Sequence, residues 1–212
     1  LEQRCSSMAY TYTEPTIFME LAADCGRLAK KKGLSNIFVS NGYMTPEALD
    51  FSAGWLDAIN VDIKAFTEDF YRTHCKATLK GVLDTLRYIA HQTNIWLEVT
   101  TLVIPGANDK DDELKQLADF IAGELGEHVP WHISRFHPDY EHVDAEATPP
   151  ETLEKAYQFG KEAGLHYIYV GNLPGSGHEN TYCHSCGHLL IKRVGFRLSL
   201  IHISEPTRLR RI

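Results

Sequence analysis

Cysteine, basic charge and long apolar runs are all scarce in this chain, and each shortage excludes a class of protein. Five cysteines at irregular spacing, an odd number, do not make a disulfide scaffold and fit a reducing, cytoplasmic compartment. No apolar stretch approaches the roughly 20 residues that span a bilayer, and Leu1–Cys5 lacks the pattern of a signal peptide, so no membrane partner is expected. Lys and Arg number 21 against 28 Asp and Glu, a net charge of -7. Free-standing nucleic-acid binders of this size carry a basic excess, so nucleic acid is not an expected partner either. No G-x-G-x-x-G follows the first strand-like run, which argues against a dinucleotide site. Internal repeats and low-complexity segments are also absent.

What is present suffices for one domain with a small appendage. The chain has 212 residues, 43% of them apolar, enough for a sizeable core. Short strand-like runs alternate with helix-period segments. Strands are expected at Met8–Thr13, Asn36–Ser40, Ala58–Ile63, Ile95–Val103, Trp131–Phe136 and Tyr167–Val170. Between the first two, Pro15–Lys32 places Ile17, Phe18, Leu21, Ala22, Cys25, Leu28 and Ala29 on one helical face. Further helices are expected after Thr45, over Leu79–His91, around Leu114–Ile121 and over Glu151–Ala163. Strand then helix, repeated, means parallel strands with crossover helices. Polar residues gather at the strand C-terminal ends: Thr13-Glu14, Ser40-Asn41, Asp62 with Lys64, Thr100-Thr101, and Arg135 with His137. That edge carries the active site in α/β barrels and open sheets alike, and five strands contributing to one rim favour a barrel or part-barrel.

Both ends read as cut. The chain lacks an initiator Met and enters a strand almost at once. Arg197–Ile212 shows no helix or strand pattern, and Leu198–Arg208 resembles a translated sequencing adapter, so residues 197–212 are expected to be a non-native tail.

Several clusters suggest chemistry. Asp62 and Lys64 share one strand face, and an opposite-charge pair at a barrel mouth suits a zwitterionic ligand; a solvated ion pair is the plainer alternative. Glu14 lies between strand and helix, where it caps the helix or receives a ligand ammonium. Ser40-Asn41-Gly42-Tyr43 reads as a turn or a hydroxyl-binding loop. The stretch from Trp131 to His142 is rich in histidine, but its spacing matches no standard metal motif. Cys183-His184-Ser185-Cys186-Gly187 is half of a zinc knuckle; a closed tetrahedral site needs four ligands, and a redox pair is the alternative. Cys5, Cys25 and Cys75 are expected to be packing residues.

Six blocks then fall in order: YTYTEP (Tyr10–Pro15), VSNGY (Val39–Tyr43), NVDIK (Asn60–Lys64), TTLVIPGAND (Thr100–Asp109), PWHISRFHPDY (Pro130–Tyr140) and NTYCHSC (Asn180–Cys186). Together they resemble the radical S-adenosylmethionine (SAM) enzyme of the AmmeMemoRadiSam system, a relative of the activating enzymes of pyruvate formate-lyase. The resemblance covers Leu1 to Phe196. It implies a partial (β/α)6 barrel with a [4Fe–4S] cluster and SAM at the strand C-termini, here lacking its first strand and helix. It also implies reductive cleavage of SAM to a 5′-deoxyadenosyl radical that abstracts hydrogen, acting in activase fashion on a protein substrate. By position, Thr13-Glu14 stands where activases place a Gly-Gly-Glu that receives the SAM ammonium, although the two glycines are absent. Ser40 and Asn41 would face the ribose or carboxylate, Asp62 and Lys64 match a D-x-K that reads the methionyl end, and His132 would help hold the nucleoside. The cluster motif C-x-x-x-C-x-x-C appears nowhere in the chain. The expected layout is therefore a partial barrel over 1–171, a Cys-x-x-Cys extension over 172–196 with zinc at Cys183 and Cys186, and the tail. A fragment without cluster ligands is expected to be inactive alone. A zinc-binding scaffold, or a barrel lyase or hydrolase using Lys64, are the alternatives.

Overall fold

The computed structural model describes residues 5–139, 145–195 and 197–200. Six parallel strands run in the spatial order of the sequence: β1 (Ser7–Tyr10), β2 (Ser35–Ser40), β3 (Ala58–Asp62), β4 (Trp96–Val103), β5 (Trp131–Arg135) and β6 (Ile168–Gly171). Each crossover steps one strand in the same direction, and crossovers of one hand then place their helices on one face. The helices are α1 (Met19–Lys31), α2 (Pro46–Ser52), α3 (Glu68–Phe70), α4 (Leu79–Gln92), α5 (Asp111–Phe120) and α6 (Pro150–Glu162). A sheet without a reversal of strand order is a barrel wall rather than a doubly wound sheet. The wall is open, because β1 and β6 are its two edges. Six strands are present, so the expectation of a six-stranded unit short of one strand is corrected in its count.

Burial alternates strictly. Ile59, Val61, Val99, Val103, Trp131, Ile133, Ile168 and Val170 face the helices and are buried, whereas Asn60, Asp62, Glu98, Thr100, His132, Ser134 and Tyr169 occupy the opposite face. One face makes the core and the other a polar concavity.

Helix α1 corrects one expectation. Its buried positions are Ala22, Ala23, Gly26 and Ala29, while Ile17, Leu21 and Leu28 remain 76%, 64% and 60% exposed. Close approach explains this, since a Cβ on Gly26 would lie 2.5 Å from the Trp55 ring. The helix packs through its small residues, and its larger apolar side chains Leu21 and Leu28 point outward. Cys25 and Cys75 pack partly against the core as expected, but Cys5 is exposed.

Beyond β6 the chain forms an antiparallel sheet of β7 (Thr181–Tyr182), β8 (Leu189–Val194) and β9 (Arg197–Leu200). The last of these pairs Val194 with Arg197 and Ile191 with Leu200. The expectation that nothing after residue 196 has a strand partner is therefore wrong for these four residues, whose apolar-polar alternation suffices for a hairpin arm. Residues 201–212, the rest of the expected tail, and His142 lie outside the described residues.

Candidate functional site

The rim begins at β1. Glu14 does cap the following turn, accepting from the Thr16 amide at 3.4 Å. Its Oε1 also accepts from the Ser40 hydroxyl at 2.7 Å and the Thr16 hydroxyl at 3.2 Å, and its Oε2 accepts from the Asn41 amide at 2.8 Å. The carboxylate thus ties the end of β1 to the end of β2. A carboxylate offers about four acceptor positions, and Oε2 takes one donor here, so it retains capacity for a ligand ammonium. Gly42 makes the turn possible. Its φ is +71°, and a Cβ there would lie 2.4 Å from Val61 Cγ1.

Asp62 and Lys64 form an ion pair at 2.5 Å, with side chains 30% and 41% exposed. The rest of this corner is rigid. Buried Asn108 donates to the carbonyls of Lys64 (2.6 Å) and Leu102 (2.8 Å) while accepting from the Ile104 amide at 2.6 Å. The Lys64 amide donates to the Tyr71 hydroxyl at 3.1 Å, and burial pushes that phenol well above its ordinary value. Val103–Asp109, which reads as an ordinary turn, is therefore also the clamp on Lys64.

Sheet register carries the site across the concavity. Asp62 pairs with Thr100, Thr100 with His132, and His132 with Tyr169, giving one row of side chains over four strands. His132 also meets Glu98 at 2.8 Å and stacks on Tyr169 at 5.1 Å. That hydrogen bond, opposed by burial and helped by the Arg193 charge, holds the Glu98 carboxyl below its usual range. The row lines a cavity of about 590 Å³, which the β7–β9 sheet closes with Glu179, Arg193 and Gly195. Asp62 and His132 line it; Thr13 is exposed at the rim, and Glu14, Ser40, Asn41 and Lys64 stand outside the lining. Glu98, Tyr169 and Arg193 were missed in the sequence. Period 2 puts Glu98 on the same face as Thr100, but its meeting with His132 depends on register across two strands.

Cys183 and Cys186 sit at the tip between β7 and β8, where the Gly187 amide donates to the Cys183 carbonyl and the Cys183 amide to the His188 carbonyl, both at 2.8 Å. The amides of Cys186 and Ser185, joined by the Cys186 thiol, point at the Cys183 sulfur and lower its pKa. Among the described residues no three of His, Cys, Asp and Glu are grouped to hold a metal ion. His184 stacks on His166 instead, at 4.4 Å. The same observation tests the cluster. Cys5, Cys25, Cys75 and the Cys183–Cys186 pair lie on separate elements, so the residues present do not fit a [4Fe–4S] group. The rim instead offers opposite charges, a carboxylate at Glu14 and the Asp62–Lys64 pair. No helix among the described residues is long and apolar enough to cross a membrane.

Comparison with known proteins gives the family and the fold. The family model described as the Radical SAM superfamily matches residues 1–121. An uncharacterized protein of Methanocaldococcus jannaschii is 44% identical over 208 residues, which are 98% of this chain and 61% of that protein. A second protein of the same organism, named as a glycyl-radical enzyme activating enzyme, is 29% identical over 160 residues, 73% of this chain and 58% of that protein. The chain thus spans about three-fifths of the length of either curated relative. Among solved structures, a domain of pyruvate-formate lyase-activating enzyme from Bacteroides vulgatus has a TM-score of 0.69 at 17% identity, covering 79% of this chain and 99% of that one. A radical SAM methyltransferase from Sphaerobacter thermophilus has a TM-score of 0.65 at 14% identity, covering 87% and 55%. At such identities these two show the fold alone.

Proposed function

The chain belongs to the radical SAM superfamily, and from that premise we propose that it is the SAM-binding barrel of a hydrogen-abstracting enzyme of the AmmeMemoRadiSam type. The observation that carries this reading is the polar rim: a carboxylate with spare acceptor capacity, a strand-end hydroxyl and amide, and an Asp–Lys pair at the end of β3, whose Asp62 also lines the neighbouring cavity. Glu14 would receive the SAM ammonium, Asp62 and Lys64 would read the methionyl end, and Ser40 and Asn41 would orient the ribose or carboxylate, with Thr13 beside them. His132, held by Glu98 and Tyr169, would bound the nucleoside pocket. In this superfamily an iron–sulfur cluster supplies the electron that cleaves SAM; here its cysteines would come from protein outside these 212 residues.

The substrate reading is activase-like action on a protein, carried by the likeness to the M. jannaschii protein named for glycyl-radical enzyme activation. The Cys183–Cys186 turn, with amides aimed at sulfur, has the form of half a tetrahedral zinc site to be completed from outside the described residues. Calorimetric titration of SAM into the purified chain tests the core of the reading. Lys64→Gln and Asp62→Asn should each weaken binding by about tenfold or more, the loss of a charge-assisted contact; affinities equal to the unsubstituted chain would refute it. The chain alone should yield no 5′-deoxyadenosine, and a version extended by a C-x-x-x-C-x-x-C segment should.

A further inference from the structure

The β7–β9 sheet is more than an appendage. Arg193 projects from β8 into the cavity, its guanidinium 5.0 Å over the Tyr169 ring, with Nη1 donating to the Thr181 hydroxyl at 2.6 Å and the Glu179 carbonyl at 3.1 Å. Tyr169 and Thr181 share a hydroxyl contact at 2.9 Å, so barrel and extension meet around this one cation. Two other contacts between ionisable side chains lie near it, Asp62 with Lys64 at 2.5 Å and Glu98 with His132 at 2.8 Å. Arg193 differs. Its direct partners are a carbonyl, a hydroxyl and a ring face; the Glu98 carboxylate feels its charge without an ion pair, and Glu179, which also lines the cavity, makes none with it among the described residues. A half-buried guanidinium that makes no direct ion pair keeps donors for a ligand, and its planar fork matches carboxylate or phosphate oxygens.

We infer that the C-terminal sheet completes the reactive cavity and that Arg193 anchors an anionic group, carboxylate or phosphate, of the molecule from which hydrogen is taken. This rests on the reading of the cavity as the radical SAM lumen. A volume near 590 Å³ lies in the range of small-molecule sites. The rim and Arg193 stand at opposite ends of the Asp62–Tyr169 row, so SAM and the anion occupy separate poles.

The test follows the amide resonances of Tyr169–Asn172 and Thr181 in the isotope-labelled chain, titrated with inorganic phosphate and separately with malonate. Saturable shifts with either probe are expected, and the stronger one identifies the anion class. Arg193→Gln should weaken binding about tenfold and Arg193→Lys less, while Lys192→Gln, on the exposed side of β8, should change nothing. Glu179→Gln keeps the backbone carbonyl that Arg193 uses and removes a nearby negative charge, so it should tighten binding about threefold even if Arg193→Gln proves unstable. Absence of saturable shifts, or equal affinity in Arg193→Gln and Glu179→Gln, overturns the inference. SAM titrations of the same samples keep the two readings apart. Arg193→Gln should leave SAM affinity within about twofold, whereas insensitivity of SAM to Lys64→Gln would defeat the lumen reading and leave the anion site to be judged by its own titration.

Discussion

The rim formed by β1–β3 and the wall formed by β4–β6 with the C-terminal sheet solve the same problem by opposite means. At the rim, each functional side chain has a partner close in sequence, Glu14 with Thr16, Ser40 with Gly42 and Asp62 with Lys64, and longer ties from Glu14 to Ser40 and from Asn108 to Lys64 are added to these. At the wall, every contact is long-range: Glu98 to His132, His132 to Tyr169, Tyr169 to Thr181 and Arg193. Local order makes the rim readable and rigid. Long-range order makes the wall dependent on the register of three strands and on a separate sheet docking correctly.

That difference can be broken deliberately. The largest expected effect is at the clamp: Asn108→Ala leaves a buried amide and two carbonyls without their partner and should cost about 3 kcal/mol of stability, read from denaturant midpoints. Next comes Gly42→Ala, at about 2 kcal/mol, because its positive φ and the 2.4 Å approach to Val61 both resist a Cβ. Both losses should leave the His132–Tyr169 stack intact; a disturbed wall would show that the two regions are not separable.

Smaller effects sharpen the contrast. Glu98 titrates below its ordinary range in the fold, so its contribution is fully present above the unfolded value of about 4.3 and is lost as pH falls through the lower folded value. The stabilities of the parent and Glu98→Gln should therefore converge on acidification, starting near pH 4–5, and parallel curves would show that the pair contributes nothing. The smallest change is Cys183→Ser in metal-free protein, which should leave the melting temperature unaltered while abolishing any zinc uptake. The Cys183 thiol, lowered by two amides, should also react with alkylating reagents at lower pH than Cys75, whose thiol burial raises.

Legibility in the sequence follows the same division. All six barrel strands fall within a few residues of their expected places, because β-branched runs of period 2 between helix caps leave little freedom. The rim residues were legible for the same reason. The buried face of α1 was not, since apolar size points to Leu21 and Leu28 while packing against Trp55 selects alanine and glycine. Glu98 and Arg193 acquire meaning only when strands distant in sequence are laid side by side. β9 was hidden by its resemblance to something foreign.

Strand order has a consequence for how the molecule is made. Every barrel strand pairs only with its neighbours in sequence, so during synthesis each new strand finds its partner already exposed at the growing edge. The rim is complete once β3 and the Asn108 turn have emerged. The cavity does not exist until β8 has, nearly ninety residues later by sequence number. A nascent chain thus presents an assembled rim long before the cavity has its last wall, and pulse-labelled exchange on stalled chains should find Asn41 and Lys64 protected while Tyr169 is not. The wall that carries Arg193 is therefore expected to be the last to join the pocket.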